Sequence, residues 1–254
     1  MSENPSKSQF TALAPYYDEL MQVVPYDAWV DYVLLLFSMV EHDPQQLLDC
    51  ACGTGNVSFE LAKTGIDVTG VDIAPDMIAI AQQKAAETET DIHFEVADLT
   101  KFDMNRKFDS ATCLYDSLNY ILDPQDLRAC FAHIANHLET GGIFVFDMNS
   151  DYALTADLFT QANLDPRKAL HYDWQARHDP ETRITSVEMS FRRKESDGTI
   201  AEFRETHRER AYELEEVQVM LEETGWEIAK IFDAYTINLP HGASERWFFI
   251  ARKI

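Results

Sequence analysis

The sequence is poor in basic residues. It has 21 Lys and Arg against 44 Asp and Glu among 254 residues, which gives a formal net charge of −23. Nucleic-acid binding draws its affinity from clustered Lys and Arg, and here most basic residues stand beside acids, as in residues 203–210. The composition therefore argues against a nucleic-acid partner. An acidic surface attracts cations, which favours a small molecule carrying positive charge, but it also serves solubility alone.

Long apolar runs are also absent. The longest extends from Tyr32 to Val40, far short of the roughly 20 residues of a membrane helix. The segment Met1 to Gln9 is polar and lacks the apolar core of a signal peptide. We therefore expect a cytoplasmic protein with no membrane partner. None of these patterns indicates an oligomeric state.

The four cysteines do not form a metal-binding pattern. Cys50, Cys52, Cys113 and Cys130 contain no Cys-x-x-Cys pair, and no paired histidines accompany them. A zinc site is therefore not expected, and we predict no metal. Cys50 and Cys113 lie in apolar runs typical of strands, which favours small buried side chains in a reducing compartment.

Helix and strand patterns alternate over residues 10 to 150. Such alternation predicts a parallel sheet with helices on both faces. A helix that begins at Pro124 is predicted to end at Gly141–Gly142, because glycine commonly terminates helices. The predicted strands cover residues 46–51, 66–71, 92–96, 108–114 and 143–146, and the other predicted helices cover residues 29–40, 56–63 and 75–85.

The pattern changes after Ser150. Within residues 182–194, Val187, Met189 and Phe191 alternate with polar neighbours, and after the turn Asp197-Gly198 residues 199–211 are extended and heavily charged. This pattern predicts antiparallel sheet with one wet face. A helix over 213–224 and strands over 226–234 and 246–253 follow. We therefore predict a core of residues 1–150 and 213–254, with residues 151–212 as an antiparallel insertion.

The ends of three predicted strands carry residues suited to a nucleoside. Asp49 lies near the end of the first strand and a glycine turn follows that strand, Asp72 closes the second, and Asp98-Leu99 follow the third. Ligands of open parallel sheets bind beyond the carboxyl ends of the strands. A carboxylate at Asp72 can accept both ribose hydroxyls, and Asp98 and Leu99 can face an adenine. The three strand ends together predict a nucleoside site.

One glycine of the dinucleotide-binding pattern is missing. Gly53-Thr54-Gly55 is followed by Asn56, Val57 and Ser58, whereas Gly-x-Gly-x-x-Gly requires a third small residue. This absence counts against an NAD-dependent oxidoreductase, which stays an alternative on a similar sheet.

These motifs resemble those of class I S-adenosylmethionine-dependent methyltransferases. The resemblance is carried by the successive segments 47–55, 71–77, 96–99, 108–111 and 138–144. Ala51 stands where many members have their first glycine. The resemblance implies an α/β fold: a Rossmann-like seven-stranded sheet whose last strand is antiparallel, with helices on both faces and an inserted antiparallel β lid.

The resemblance also implies S-adenosyl-L-methionine as the cofactor and a set of residues that hold it. Asp49 and the turn around Gly53 would hold the methionine portion, Asp72 the ribose, and Asp98 with Leu99 the adenine. Met77 would pack on the nucleoside, or equally serve as an ordinary core methionine. The full set of expected cofactor contacts is Tyr17, Asp49, Ala51, Gly53, Gly55, Asp72, Ile73, Met77, Ala97, Asp98, Leu99 and Leu114.

The expected acceptor site follows the fourth strand. The stretch from Leu114 to Tyr120 resembles that of small-molecule methyltransferases, including those that act on amino sugars and glycine-like amines. It makes Asp116 the expected catalytic residue, able to orient or deprotonate an ammonium group, although Asp116 and Asn119 also suit a capping turn. The other expected acceptor contacts are Tyr16, Asn119, Tyr120, Trp174 and Arg204, with His171 and His207 as further candidates on the lid.

The leading hypothesis is therefore methyl transfer to a small molecule, most simply to an amine nitrogen. A non-catalytic S-adenosylmethionine-binding protein is the second alternative. The sequence does not identify the acceptor.

Overall fold

The computed structural model describes residues 9–254, so the expectation for Met1 to Gln9 falls almost wholly outside it. Its main sheet has seven strands in the order β10-β11-β5-β4-β1-β2-β3. Strand β11 runs antiparallel to both of its neighbours, and the pairs within β5-β4-β1-β2-β3 are parallel, which confirms the predicted fold. The strands are β1 Gln46–Cys50, β2 Asp67–Asp72, β3 His93–Val96, β4 Phe108–Cys113, β5 Leu138–Asn149, β10 Trp226–Asp233 and β11 Arg246–Lys253.

Helices cover both faces of this sheet because each sheet face is apolar. Phe131 and Met220 lie in one buried cluster with Phe144, whereas Val33 and Ile78 lie in another with Val145. The alternating side chains of β5 thus face opposite layers. The helices are α1 Tyr17–Leu20, α2 Tyr26–Ser38, α3 Asn56–Lys63, α4 Pro75–Thr88, α5 Pro124–His137, α6 Asp151–Thr155 and α7 Leu214–Glu223.

The predicted end of α5 at Gly141–Gly142 is wrong. The helix ends at His137, and β5 begins at once with Leu138 paired to Phe108. The register then shifts, so that Ile143 pairs with Ser110. A Cβ on Gly142 would lie 2.9 Å from the carbonyl oxygen of Asp109, so this glycine permits a close backbone approach instead of ending a helix.

A second sheet is formed by the residues after β5. It has four antiparallel strands in the order β6-β7-β8-β9: β6 Gln161–Asn163, β7 Leu170–Asp179, β8 Ile184–Lys194 and β9 Ile200–Arg210. Strands β8 and β9 were predicted. The predicted wet face is also present, since Val187, Met189 and Phe191 of β8 are buried and Glu188 is exposed. Strands β6 and β7 were not predicted.

The segment before α2 connects the two sheets. The carboxylate of Glu205 on β9 accepts hydrogen bonds from the backbone N–H groups of Phe10 (3.0 Å) and Leu13 (2.9 Å). On the other side, Asp18 accepts a hydrogen bond from Thr54 (2.6 Å) and pairs with Lys84 (3.0 Å). The segment therefore spans the gap between the glycine turn and the second sheet.

No helix within residues 9–254 is long and apolar enough to cross a membrane.

Candidate active site

A cavity of about 430 Å³ lies between the two sheets. Its floor is formed by residues at the carboxyl ends of β1, β2 and β4, including Asp49, Asp72 and Asp116. Its roof is formed by side chains of the second sheet. All four strands of that sheet contribute to it, through Gln161, Tyr172, Trp174, Val187, Met189, His207 and Glu209.

The glycine turn and the end of β2 hold each other in place. The two carboxylate oxygens of Asp72 accept hydrogen bonds from the backbone N–H groups of Gly53 and Ala74, both at 2.8 Å. Gly53 has a φ of +56°, and no heavy atom lies within 4 Å of the position that a Cβ would take. Gly53 also lines the cavity.

Asp49 is the most deeply placed acid of the floor. Its carboxylate accepts hydrogen bonds from the hydroxyls of Ser58 (2.5 Å) and Thr112 (2.9 Å), and its residue is 2% exposed. Burial disfavours the charged form and raises the pKa of Asp49 to about 6, although the two hydroxyls oppose this shift. Asp49 therefore carries a charge at neutral pH that reduces stability.

An Asp49→Asn variant should reveal this effect as a pH-dependent stability difference. Between its ordinary pKa of 3.8 and about 6, the folded protein binds a proton that the unfolded chain has released, so stability should fall as pH rises. The free energy of unfolding of the variant, taken relative to that of wild type, should therefore rise by about 3 kcal/mol as the pH goes from below this range to neutral. Urea unfolding across the range measures it, with Asp67→Asn at an exposed position as control. A constant difference between variant and wild type would contradict the burial argument.

A second group of charges follows β4. Arg246, the first residue of β11, pairs with Asp116 (2.6 Å) and with Asp147 of β5. Asp147 also accepts hydrogen bonds from the backbone N–H groups of Tyr115 (2.7 Å) and Asp116 (3.0 Å). Burial raises the pKa of Asp116 to about 6, even though Arg246 opposes the shift. One guanidinium thus compensates two buried carboxylates.

The roof brings a third carboxylate to the same end of the cavity. Glu209 is 4% exposed and accepts a hydrogen bond from the Asn149 side chain at 2.8 Å. Next to it on β9, His207 bridges Glu205 (2.8 Å) and the Tyr120 hydroxyl (3.1 Å). These groups face inward because side chains alternate along a strand, which places every second residue of β9 on one face.

Aromatic rings form much of the remaining wall. One of them, Trp174, carries a buried indole Nε1 that has no hydrogen-bond partner among residues 9–254. A buried N–H without a partner is unusual, and a ligand oxygen in the cavity would satisfy it. The aromatic lining residues are Phe10, Tyr17, Tyr26, Tyr115, Tyr120, Phe159, Tyr172 and Trp174.

Most residues expected from the sequence lie on this cavity. Those expected to contact the cofactor and found in its wall are Tyr17, Asp49, Ala51, Gly53, Asp72, Ile73, Met77 and Leu114. Asp116, Tyr120 and Trp174 also line it, as does the further candidate His207. Their roles stay predictions, because position alone does not define a contact.

Four expected cofactor residues lie outside the wall. A Cβ on Gly55 would collide with the ring of Phe94 at 2.7 Å, so this glycine serves packing beside the turn. The backbone N–H of Ala97 donates to the carbonyl of Asp72 (2.8 Å), and Leu99 joins the core. Asp98 accepts hydrogen bonds from Thr100 and pairs with Lys101. An adenine contact by residues 97–99 stays a prediction.

Three expected acceptor residues lie outside the cavity wall, and their contact with an acceptor stays a prediction. Tyr16 stacks on Phe203, with ring centroids 5.0 Å apart. The amide group of buried Asn119 donates to the backbone carbonyls of Asn149 and Arg210, which joins the two sheets. Arg204 is exposed on the face of β9 opposite to His207. The candidate His171 likewise lies outside the wall and contacts the carbonyl of Asp165 (2.9 Å).

Sequence reasoning missed Glu209 and Arg246. The alternation Glu205, His207, Glu209 places the three side chains on one strand face, so the naming of His207 could have led to Glu209. Arg246 begins an antiparallel last strand, which returns it to the carboxyl edge of the sheet beside Asn149. Topology therefore offered a signal for both residues.

Comparison with known proteins agrees with this geometry. The family model described as "Methyltransferase domain" matches residues 47–142. A second model, "Activator of Hsp90 ATPase homolog 1-like protein", matches residues 119–234, a range that includes β5 and β10 of the main sheet along with the second sheet. It therefore does not mark a separate folding unit.

A relative and a solved structure extend the match to 96% of the chain, and a further relative matches part of it. A putative methyltransferase of Geobacillus sp. (strain WCH70) is 32% identical over 246 residues, covering 96% of this chain and 99% of the relative. An S-adenosylmethionine-dependent methyltransferase of Clostridium acetobutylicum ATCC 824 has a TM-score of 0.85 and 29% identity, covering 96% and 98%. A dTDP-3-amino-3,4,6-trideoxy-alpha-D-glucopyranose N,N-dimethyltransferase of Streptomyces venezuelae is 30% identical over 105 residues, 41% of this chain and 43% of that protein.

The chain therefore belongs to the class I S-adenosylmethionine-dependent methyltransferase family. It is an enzyme, and its cofactor is S-adenosylmethionine.

Proposed function

We propose that this enzyme methylates the amine nitrogen of a small molecule. The observation that carries the proposal is the composition of one end of the cavity, where Asp116 and Glu209 lie among aromatic rings. Buried carboxylates attract ammonium groups, and the faces of aromatic rings attract cations as well. The amino-sugar N,N-dimethyltransferase matched above acts on such a nitrogen, which supports the proposal.

The other end of the cavity fits the cofactor. Open space above Gly53 offers room for the methionine portion, and the buried carboxylate of Asp72 offers an acceptor for ribose hydroxyls. We assign Asp49, Ala51, Ile73, Met77 and Leu114 to the surrounding contacts. The bound cofactor supplies a methyl group on a positively charged sulfur, so the protein has to orient the acceptor and exclude water.

The second sheet closes this arrangement as a lid. We propose that residues 151–212 cover the acceptor, because β6, β7, β8 and β9 each place a side chain in the roof. Asp116 would orient the acceptor from the floor, with Tyr120 and Trp174 beside it. The four cysteines are free within the described residues, which supports a cytoplasmic location as part of the proposal.

Turnover with a panel of small amines, alcohols and phenols tests the proposal. Formation of S-adenosylhomocysteine should depend on an amine. Calorimetric titration with S-adenosylmethionine, S-adenosylhomocysteine and NAD separates the alternatives, because an oxidoreductase would bind NAD. Binding without turnover for any acceptor would favour the non-catalytic alternative, and turnover with hydroxyl acceptors alone would contradict amine methylation.

An Asp72→Ala variant tests the cofactor assignment. It should weaken S-adenosylmethionine binding by about 1.5–3 kcal/mol, the scale of a hydrogen bond to a charged group. Asp76→Ala, four residues further at an exposed position, is the control and should bind as wild type does. Calorimetry measures both, and equal affinity in Asp72→Ala and wild type would place the ribose elsewhere.

A further inference from the structure

We propose that Glu209 is the carboxylate that pairs with the ammonium form of the acceptor and takes its proton before methyl transfer, which leaves a nitrogen lone pair to attack the methyl group as the sulfonium leaves as a neutral thioether. This inference rests on the proposed function and deepens it, because it limits the acceptors to amines that bind as cations. It also shifts the central role away from Asp116, the acid that the sequence favoured.

The carboxylates at this end of the cavity differ in their partners. Asp116 and Asp147 both pair with Arg246, so their charge is partly compensated within the protein. Glu209 forms no ion pair within residues 9–254, and the one hydrogen bond to its carboxylate within those residues comes from the neutral side-chain amide of Asn149. Buried charges in folded proteins are normally paired, so an unpaired glutamate that lines a cavity lacks the counter-charge that a ligand can supply.

The only guanidinium or ammonium group that faces Glu209 within residues 9–254 is that of Arg246, which already pairs with Asp116 and Asp147. Asp116 and Tyr120 face it from the segment after β4, Asp147 and Asn149 from β5, and Arg246 from β11. On β9 itself, His207 is occupied by Glu205 and Tyr120. Burial, with Asp116 second, holds the pKa of Glu209 well above its usual range, as expected for a carboxyl group without a counter-charge.

A cationic amine, together with the cofactor, would neutralise the net negative charge of the site. Asp116, Asp147 and Glu209 together carry three negative charges when ionised, against the single positive charge of Arg246. The difference, 3 − 1, leaves two negative charges in a region shielded from water. The sulfonium of the cofactor and the ammonium of an acceptor provide two positive charges, whereas an alcohol or phenol provides none.

The test uses sinefungin, a cofactor analogue in which a carbon replaces the sulfur and an ammonium group on that carbon takes the place of the transferred methyl group. It probes the transfer point without knowledge of the acceptor, and S-adenosylhomocysteine, which lacks that charge, is the matched neutral ligand. Calorimetry with wild type should show tighter binding of sinefungin. Glu209→Gln should lower the affinity for sinefungin about tenfold or more, while the affinity for S-adenosylhomocysteine changes by less than about threefold.

Three further variants make the result decisive. Glu188→Gln, on the exposed face of β8, should keep the wild-type ratio of the two affinities. Asp116→Asn should change the ratio less than Glu209→Gln does, because Arg246 already balances Asp116. Glu209→Asp keeps the charge, so it should retain a preference for sinefungin even if Glu209→Gln folds poorly.

The outcomes separate this inference from the proposed function. An unchanged ratio in Glu209→Gln, or an equal loss of both ligands, would overturn the role of Glu209. If Asp116→Asn abolished the preference for sinefungin and Glu209→Gln kept it, the role would belong to Asp116 and not to Glu209. If wild type bound neither ligand, the cofactor assignment itself would fail.

Discussion

Replacing Gly53 with valine should abolish detectable binding of S-adenosylmethionine while the protein stays folded. A Cβ at this position has no heavy atom within 4 Å beyond its neighbours in the chain, and Gly53 lines the cavity, so we expect a branched side chain here to occupy space that the cofactor needs. A branched residue at a φ of +56° adds backbone strain of about 1–3 kcal/mol, which the large core can tolerate. Calorimetry measures the binding, and thermal unfolding confirms that the variant folds.

Gly65 offers a matched control for this prediction. It also has a positive φ, +96°, and open space at its Cβ position, but it is exposed between α3 and β2 and away from the cavity. Gly65→Val should therefore show comparable strain and normal cofactor affinity. Normal affinity in Gly53→Val as well would move the cofactor away from the glycine turn.

The main sheet was largely predictable because its elements have clear local patterns. Helix α3 was predicted at its observed bounds, Asn56–Lys63, since apolar spacing and a glycine stop coincide there. The last strand, Arg246–Lys253, was also predicted at its observed bounds. The end of α5 was missed because Gly141–Gly142 resembles a helix stop, whereas a shift in strand register gives those glycines another use.

The second sheet was only partly predictable. In β7, polar residues such as Asp173, Gln175 and Arg177 occupy the exposed positions, and the inward positions include His178 besides aromatic residues. The expected apolar alternation is therefore weak. Strand β6 has only three residues and is defined by its pairing with β7 and not by its own sequence.

The floor of the candidate site was easier to predict from the sequence than its roof. Parallel strands bring their carboxyl ends to one edge, so Asp49, Asp72 and Asp116 could be placed together from the strand order alone. Glu209 and Arg246 reach the site from distant parts of the chain. Arg246 pairs with Asp116 across 130 residues, a contact that depends on how the last strand returns to the sheet.

The pairing of Arg246 leads to the largest expected effect on stability. An Arg246→Met change keeps much of the side-chain volume but leaves Asp116 and Asp147 as neighbouring buried carboxylates without a counter-charge. Breaking a buried ion pair on one side costs about 3–5 kcal/mol, because the remaining charge stays desolvated. Urea unfolding at neutral pH should show a loss of this size.

A second substitution should recover part of that loss. In Arg246→Met combined with Asp116→Asn, one of the two uncompensated charges is removed, so the double variant should be more stable than Arg246→Met alone. The deficit of the single variant should also shrink as pH falls toward about 6, the pKa of Asp116 in the wild-type protein, because without Arg246 the pKa of this carboxyl is higher and it takes up a proton first. An Arg246→Met protein within about 1 kcal/mol of wild type at neutral pH would contradict this account, since surface ion pairs contribute no more than that. It would mean that water reaches these carboxylates, and the argument that Glu209 needs a cationic ligand would lose its basis as well.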